Sequence, residues 1–84
     1  MKKYTIGYYS GESRQHPGKG CDYMICAARD EYGEPIEMYA EAICPDDVTE
    51  DNIDAWSDSV YDDLKAEIIE QAKRLGVAAE QLEF

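Results

Sequence analysis

Three cysteines and one histidine are the residues of this chain best suited to bind a metal ion. Cys21 and Cys26 have four residues between them, and His16 and Cys44 could complete a set of four ligands. A structural zinc site usually draws on two closely spaced pairs of ligands, and this sequence has one. Cys26 also falls within a predicted strand, where cysteine serves as a small apolar side chain. We therefore expect no metal ion and no other cofactor.

Patterns for catalysis or phosphate binding are weak. His16 is the single histidine, and it lies in a segment rich in glycine and proline. Catalysis by histidine needs a nucleophile or a carboxylate at a defined geometry, and no pattern here supplies one. Gly18-Lys19-Gly20 lacks the spacing of a phosphate-binding loop. A chain of 84 residues also leaves little volume for a deep catalytic cavity. The sequence predicts a protein that is not an enzyme.

A run of carboxylates precedes the most strongly helical part of the sequence: Asp46, Asp47, Glu50, Asp51 and Asp54. A calcium-binding loop needs alternating ligands, a glycine in mid-loop and a distant bidentate glutamate, and the glycine is missing. Acidic side chains at the start of a helix stabilise the positive end of the helix dipole. We interpret the run as this helix-start feature.

The charge is strongly negative and unevenly distributed. The formal net charge is −11, and residues 46–84 alone carry twelve acids and three bases. Such a field repels nucleic acid and anionic membranes and favours encounter with basic surfaces. Acidic helices that only improve solubility are the alternative. Five tyrosines could likewise form a binding face or be ordinary strand residues: Tyr8, Tyr9, Tyr23, Tyr32 and Tyr39.

The cysteine count and the first residues indicate the cellular compartment in which the protein acts. The number of cysteines is odd, and Met1-Lys2-Lys3 leads directly into a strand-like segment without a signal peptide. No apolar run approaches the length of a membrane span. We expect a cytoplasmic protein.

The first half of the chain has the pattern of a small antiparallel sheet. Tyr4 to Tyr9 reads as a strand, and residues 10–20 read as a long surface loop. Two further strands, 22–29 and 36–43, form a central hairpin. In the last strand Ile36, Met38, Ala40 and Ala42 alternate with Glu37, Tyr39 and Glu41, which predicts one buried and one solvated face.

The second half has the pattern of a helix. Asp47 and Glu50 have the spacing of a helix capping box. An apolar stripe then follows at intervals of three and four: Ile53, Trp56, Val60, Leu64, Ile68, Ala72 and Leu75. Ser59 could cap a second helix, Gly76 could end the last one, and residues 77–84 could add a short strand. We predict a single α+β domain, 1–84, whose sheet of three or more strands packs against one bent helix or two successive C-terminal helices.

Several short strings resemble the type II-C anti-CRISPR proteins, which inhibit an RNA-guided nuclease through its HNH domain. They are Tyr4-Thr5-Ile6-Gly7, Ala27-Ala28, Ile43-Cys44-Pro45-Asp46, Trp56, Gly76-Val77-Ala78 and Glu83-Phe84. Their order and intervals resemble the family over nearly the whole chain. Two features depart from it. The segment from Ser10 to Gly20 is longer, and Ala79-Glu80 stands where the family presents a Ser-Cys step to the nuclease.

The resemblance implies an inhibitor of phage or prophage origin that acts in the bacterial cytoplasm as a monomer or weak dimer. It would cap the HNH active site, block cleavage of the target strand and leave DNA binding intact, without contacting nucleic acid itself. We expect the 10–20 loop and the 77–81 segment to form the contact, with Glu80 near the catalytic histidine or metal. The residues expected at the interface are Glu12, Ser13, His16, Val77, Ala78, Ala79, Glu80 and Gln81.

Two other functions remain open from the sequence. An acidic DNA mimic would compete with nucleic acid for its target, and its binding would depend strongly on salt. A small α+β interaction module without inhibitory activity would have no nuclease partner.

Overall fold

The computed structural model describes residues 2–84 and has the predicted α+β architecture. A three-stranded antiparallel sheet, in the order β2-β3-β4, packs against one C-terminal helix. The elements in chain order are β1 (Tyr4–Thr5), β2 (Gly7–Glu12), β3 (Gly20–Arg29), β4 (Pro35–Ile43), α1 (Ile53–Arg74), a 3-10 turn (Ala79–Gln81) and β5 (Leu82–Glu83).

The predicted central hairpin is confirmed as β3 and β4. The register pairs Met24 with Ala40 and Cys26 with Met38, so the apolar residues of both strands lie on the same face. The connecting turn closes through the Asp30 carboxylate, which accepts hydrogen bonds from two backbone amides of the turn. Gly33 adopts a positive φ of 81° there, a conformation that favours glycine.

The prediction of one strand from Tyr4 to Tyr9 is wrong, because Tyr4–Thr5 form β1 in a separate sheet and β2 begins at Gly7 and extends three residues past the predicted end. The predicted loop over residues 10–20 is wrong at both ends, because β2 continues to Glu12 and β3 already begins at Gly20. Ser10 and Gly11 pair with Asp22 and Cys21 in the ladder. Cross-strand hydrogen bonds thus override the weak strand propensity of glycine and serine. The loop that remains spans residues 13–19.

The core lies between one face of the sheet and the apolar stripe of α1. Met24 and Met38 from the sheet and Leu64 and Ile68 from the helix are the largest side chains that are almost completely buried. Ala72 lies one helical turn after Ile68 and is equally buried. The predicted stripe is therefore confirmed at its centre. At its two ends, Ile53 and Leu75 remain substantially exposed.

The helix begins later than the capping-box pattern predicts. Asn52, rather than Asp47, precedes the first helical residue, and α1 runs without a break to Arg74. Asn52 instead holds the preceding turns, because its side chain accepts from the Thr49 amide and donates to the Asp47 carbonyl. Ser59 does not cap a second helix. Its hydroxyl donates to the Trp56 carbonyl within the same helix.

The C-terminal end follows the prediction. Gly76 ends the helix at a φ of 79°. The Val77 amide donates to the Ala72 carbonyl and the Gly76 amide to the Lys73 carbonyl, which is the pairing of a Schellman motif. The chain then returns to place β5 parallel to β1. Among residues 2–84, no helix combines the length and the apolar character that crossing a membrane requires.

Candidate partner-binding surfaces

The turns before α1 and its first half form an acidic surface. Residues 46–63 contain eight acids and no base, and all eight side chains are exposed: Asp46, Asp47, Glu50, Asp51, Asp54, Asp58, Asp62 and Asp63. Within residues 2–84 the single salt bridge joins Arg14 to Glu37, on the sheet. The carboxylates of the acidic surface are therefore free to attract an external cationic group.

A buried carboxylate lies beneath the acidic surface. Asp22, on the helix-facing side of β3, is only 2% exposed. It accepts hydrogen bonds of 2.7 Å from three hydroxyls, those of Tyr8, Ser10 and Ser57. These donors come from β2 and from α1, so one carboxylate connects the sheet to the helix. A hydroxyl donates one hydrogen, so three such bonds fit a carboxylate that only accepts.

The pKa of Tyr8, whose hydroxyl donates to Asp22, is raised. Burial, followed by the hydrogen bond to the Asp22 carboxylate and its charge, raises the pKa of Tyr8 to about 12. The negative charge of Asp58 on the helix acts in the same direction. Within residues 2–84 no lysine or arginine forms a salt bridge with Asp22. The negative charge at this position thus has hydroxyl donors but no cation.

A small cavity opens beside Asp22. Its volume is about 160 Å³, and Ser10, Asp22, Cys44, Ile53 and Trp56 contribute to its lining, together with the backbone around Gly11 and Gly20. Most of this lining is apolar, and Asp22 is its one acidic residue. The cavity is smaller than the roughly 300–1,000 Å³ of typical small-molecule sites. It matches a single side chain better than a metabolite.

The other face of the sheet carries a row of tyrosines. Tyr9, Tyr23 and Tyr39 lie side by side on β2, β3 and β4, with ring centroids 5.7 Å apart in each neighbouring pair. Tyr9 is 54% exposed, and the helix packs on the opposite face. Of the five tyrosines considered as a binding face, these three share one surface.

The 13–19 loop folds over one side of this tyrosine row. The Arg14 guanidinium lies 4.2 Å from the centre of the Tyr39 ring and forms a 3.0 Å ion pair with Glu37. Glu41 accepts hydrogen bonds from the Ser13 hydroxyl, the Tyr39 hydroxyl and the Arg14 amide. Burial alone would raise the pKa of Glu41, but these hydrogen bonds outweigh it and hold that pKa below its usual value.

The predicted contact residues of the loop have differing exposure. Glu12 and His16 are exposed, and the Glu12 carboxylate accepts from the Gly18 amide. Ser13 is buried, and both roles of its hydroxyl are used within the loop. It donates to Glu41 and accepts from the His16 amide. Ser13 therefore shapes the loop rather than offering its side chain to a partner.

The predicted contact residues near the C-terminus are also mixed. Ala78, Ala79 and Glu80 are exposed, whereas Val77 and Gln81 are buried. The Gln81 side chain accepts from the Ala78 amide and donates to the Lys2 carbonyl. These bonds fix the short 3-10 turn, which presents Ala79 and Glu80 to solvent.

The two predicted contact segments lie at opposite ends of β3. The 13–19 loop leads into Gly20 at the start of that strand, whereas Val77 and Gln81 share a groove with Asp30 and Glu31 beyond its end. Ten residues of extended strand span about 30 Å. The structure does not bring the two segments together into one patch.

The cysteine and histidine ligands considered for zinc are also kept apart. Cys21 and Cys26 are both buried, but they are five positions apart along β3, and an odd interval makes them face opposite sides of the sheet. His16 is exposed in the loop. Among residues 2–84 no cluster of three or more metal-ligating side chains occurs.

Sequence reasoning missed Asp22 as a site residue. The signal was present, because Asp22 has the same strand parity as Met24, Cys26 and Ala28 and therefore had to face the helix. An acidic residue in that register requires polar partners. Its partners Tyr8, Ser10 and Ser57 are distant in sequence, so only the fold identifies them.

Comparisons with known proteins found no matching family model, curated protein or solved structure.

Proposed function

We propose that this chain is a non-enzymatic inhibitor that binds the HNH domain of a type II-C RNA-guided CRISPR nuclease in the bacterial cytoplasm. It blocks cleavage of the target strand and leaves guide-directed DNA binding intact. The observation that supports this proposal best is the acidic surface, with eight exposed and unpaired carboxylates in residues 46–63. The sequence resemblance supplies the identity of the partner.

A nuclease groove that binds DNA phosphates and a divalent metal is electropositive, so a folded acidic surface is steered towards it. The charge is concentrated in the turns before α1 and in its first half. Residues 64–75 carry two acids and three bases, whereas residues 46–63 carry eight acids and no base. The densest negative charge of the protein is therefore in residues 46–63.

The resemblance assigns contacts to two further segments. The exposed Ala79 and Glu80 of the 3-10 turn, and the exposed Glu12 and His16 at the 13–19 loop, are the residues proposed to reach the nuclease. Because about 30 Å of strand separates them, they belong to two distinct surfaces. We assign the contact with the HNH active site to the turn, since Glu80 there can approach the catalytic histidine or metal.

A titration against an isolated HNH domain, together with cleavage and DNA-binding assays on the whole nuclease, tests this function. Capping predicts one-to-one binding that stops cleavage while the nuclease still binds DNA. A variant carrying Asp54→Asn, Asp58→Asn and Asp62→Asn should have an association rate constant for the HNH domain that is lower by a factor of about ten or more at low salt. The matched control carries Glu34→Gln, Glu67→Gln and Glu70→Gln, which remove three exposed charges outside residues 46–63 and outside the 79–81 turn. Absence of binding to HNH domains from several type II-C nucleases would refute the proposal.

A DNA mimic is the second candidate, and the same acidic surface favours it. Asp54, Asp58 and Asp62 follow one another at intervals of four residues on α1, so their carboxylates form a row on one side of the helix. A mimic would displace DNA from its target, and its affinity would fall steeply with salt. The DNA-binding assay separates the two functions, because capping leaves the nuclease bound to DNA and mimicry does not.

A further inference from the structure

We infer that the cavity between Asp22 and Trp56 is a binding pocket for one arginine side chain of a partner protein. The buried Asp22 and the single tryptophan, Trp56, are both among the residues that line this pocket of about 160 Å³, and the rest of the lining is largely apolar. This inference does not depend on which protein the partner is.

The Asp22 carboxylate, which forms no salt bridge within residues 2–84, favours a cation in the pocket. An ionised carboxylate offers about four acceptor positions, and Asp22 uses three of them. Two hydroxyls donate to Oδ2 and one to Oδ1, so the open position is on Oδ1. Buried charges are normally paired, and no cation of residues 2–84 pairs with this one. Asp54, adjacent in sequence to the pocket residue Ile53, adds to the negative field.

The lining favours arginine over lysine. A guanidinium is planar and more weakly hydrated than an ammonium, so it is less costly to transfer into an apolar cavity. It also stacks on aromatic rings, and tryptophan is the most favourable of these. This fold already shows the same chemistry on its other face, where Arg14 lies against the Tyr39 ring and pairs with Glu37.

The single tryptophan makes the pocket directly observable. The intact protein is titrated with N-acetyl-arginine amide while the indole resonance of Trp56 and the amide resonances of Gly11 and Gly20 are followed by NMR. N-acetyl-citrulline amide, a neutral compound of nearly the same shape, is the reference ligand, and N-acetyl-lysine amide tests the choice of cation. We expect saturable shifts at these three residues with arginine, and about tenfold weaker binding of citrulline.

Two variants test the assignment to the pocket. Asp22→Asn keeps the shape and removes the charge, so arginine should lose its advantage over citrulline. Ile53→Arg is the second variant. Ile53 lines the pocket and is 40% exposed, so the arginine side chain introduced there should occupy the pocket itself and exclude the ligand. The variant Ala55→Arg makes the same charge change two residues later, on nearly the opposite side of the helix, and should still bind.

The outcomes are distinct. Loss of binding in Ile53→Arg but not in Ala55→Arg supports the pocket, even if Asp22→Asn does not fold. Equal loss in both variants would indicate diffuse attraction to the acidic surface and overturn the inference. Equal binding of arginine and citrulline, or the absence of saturable shifts, would also overturn it. Tighter binding of lysine would overturn the choice of arginine.

Discussion

The Ser57 hydroxyl donates a 2.7 Å hydrogen bond to the Asp22 carboxylate, and so joins the first turns of the helix to the central strand of the sheet. This bond lies beyond the end of the fully buried apolar stripe, which begins at Leu64. The acidic half of the helix therefore depends on a polar connection as well as on partly buried side chains. Repulsion among the four exposed carboxylates of this half opposes its folding, and the bond to Asp22 offsets part of that repulsion.

Replacing Asp22 by alanine should strongly destabilise the protein. Three partly buried hydroxyl hydrogen bonds would lose their acceptor, and we expect the free energy of unfolding to fall by about 3 kcal/mol. Urea unfolding followed by circular dichroism measures this change. The exposed Asp58→Ala is the control and should alter stability by about 0.5 kcal/mol or less. Equal stability of Asp22→Ala and the parent would show that the carboxylate does not hold helix and sheet together.

Most of the fold could be predicted from local patterns. The alternation of Ile36, Met38 and Ala40 predicts the buried face of β4, and the spacing of Leu64 and Ile68 predicts the buried face of the helix. These predictions succeed because each pattern reflects one period and one apolar face. The strand pair β1-β5 is only suggested by the sequence, since two-residue strands carry little pattern.

The errors have physical causes. Asp47 and Glu50 have capping-box spacing, but the turns preceding Asn52 shift the helix start to Ile53. The candidate site was missed because Asp22 and Ser57 are 35 positions apart, and spacing rules describe only nearby residues. The sequence patterns place Tyr8 in a strand, Ser10 in a loop and Ser57 in the helical segment, and only the tertiary fold gathers their hydroxyls around one carboxylate.

The contribution of Glu41 to stability should depend on pH in the acid range. Hydrogen bonds from Ser13 and Tyr39 hold its folded-state pKa below 4.5, so the folded protein favours the ionised form. This stabilisation is fully present above pH 4.5 and is lost as the pH falls through the lowered pKa. Glu41→Gln should therefore be less stable than the parent at neutral pH, and the difference should shrink on acidification.

Urea unfolding at a series of pH values measures the effect of Glu41→Gln. The control is Glu34→Gln at the exposed hairpin turn, which should give the same small difference at each pH. A stability difference for Glu41→Gln that does not change between neutral pH and pH below 4.5 would contradict the assigned hydrogen bonds.

Two tyrosines should ionise unusually late. Burial, reinforced by a carboxylate partner, raises the pKa of Tyr8 and of Tyr39 to about 12. Because both values exceed the ordinary 10.0, their stabilisation is present below pH 10 and is lost as the pH rises towards 12. Tyr8→Phe and Tyr39→Phe should each remove one late step from the tyrosinate absorbance titration. Exposed Tyr32→Phe is the control and should leave both late steps in place.

Gln71 protects the outer edge of the sheet, and removing its side chain should expose that edge. Strand β4 is an edge strand, and the Gln71 amide forms two hydrogen bonds with its backbone. Oε1 accepts from the Tyr39 amide at 2.9 Å, and Nε2 donates to the Tyr39 carbonyl at 2.6 Å. Exposed backbone groups on an edge strand can pair with another chain. Gln71→Ala should therefore lose about 1–2 kcal/mol of stability and increase self-association.

Urea unfolding and sedimentation velocity at increasing protein concentration test both effects. Glu70→Ala, at the exposed neighbouring position, controls for the change in helix propensity. Its stability and its self-association should equal those of the parent protein. Gln71→Glu separates the two effects, because a carboxylate can accept from the Tyr39 amide but cannot donate to its carbonyl, and its charge disfavours pairing of two edges. It should lose stability without associating. If Gln71→Ala is as monomeric as Glu70→Ala at every concentration, the side chain stabilises the edge without protecting it.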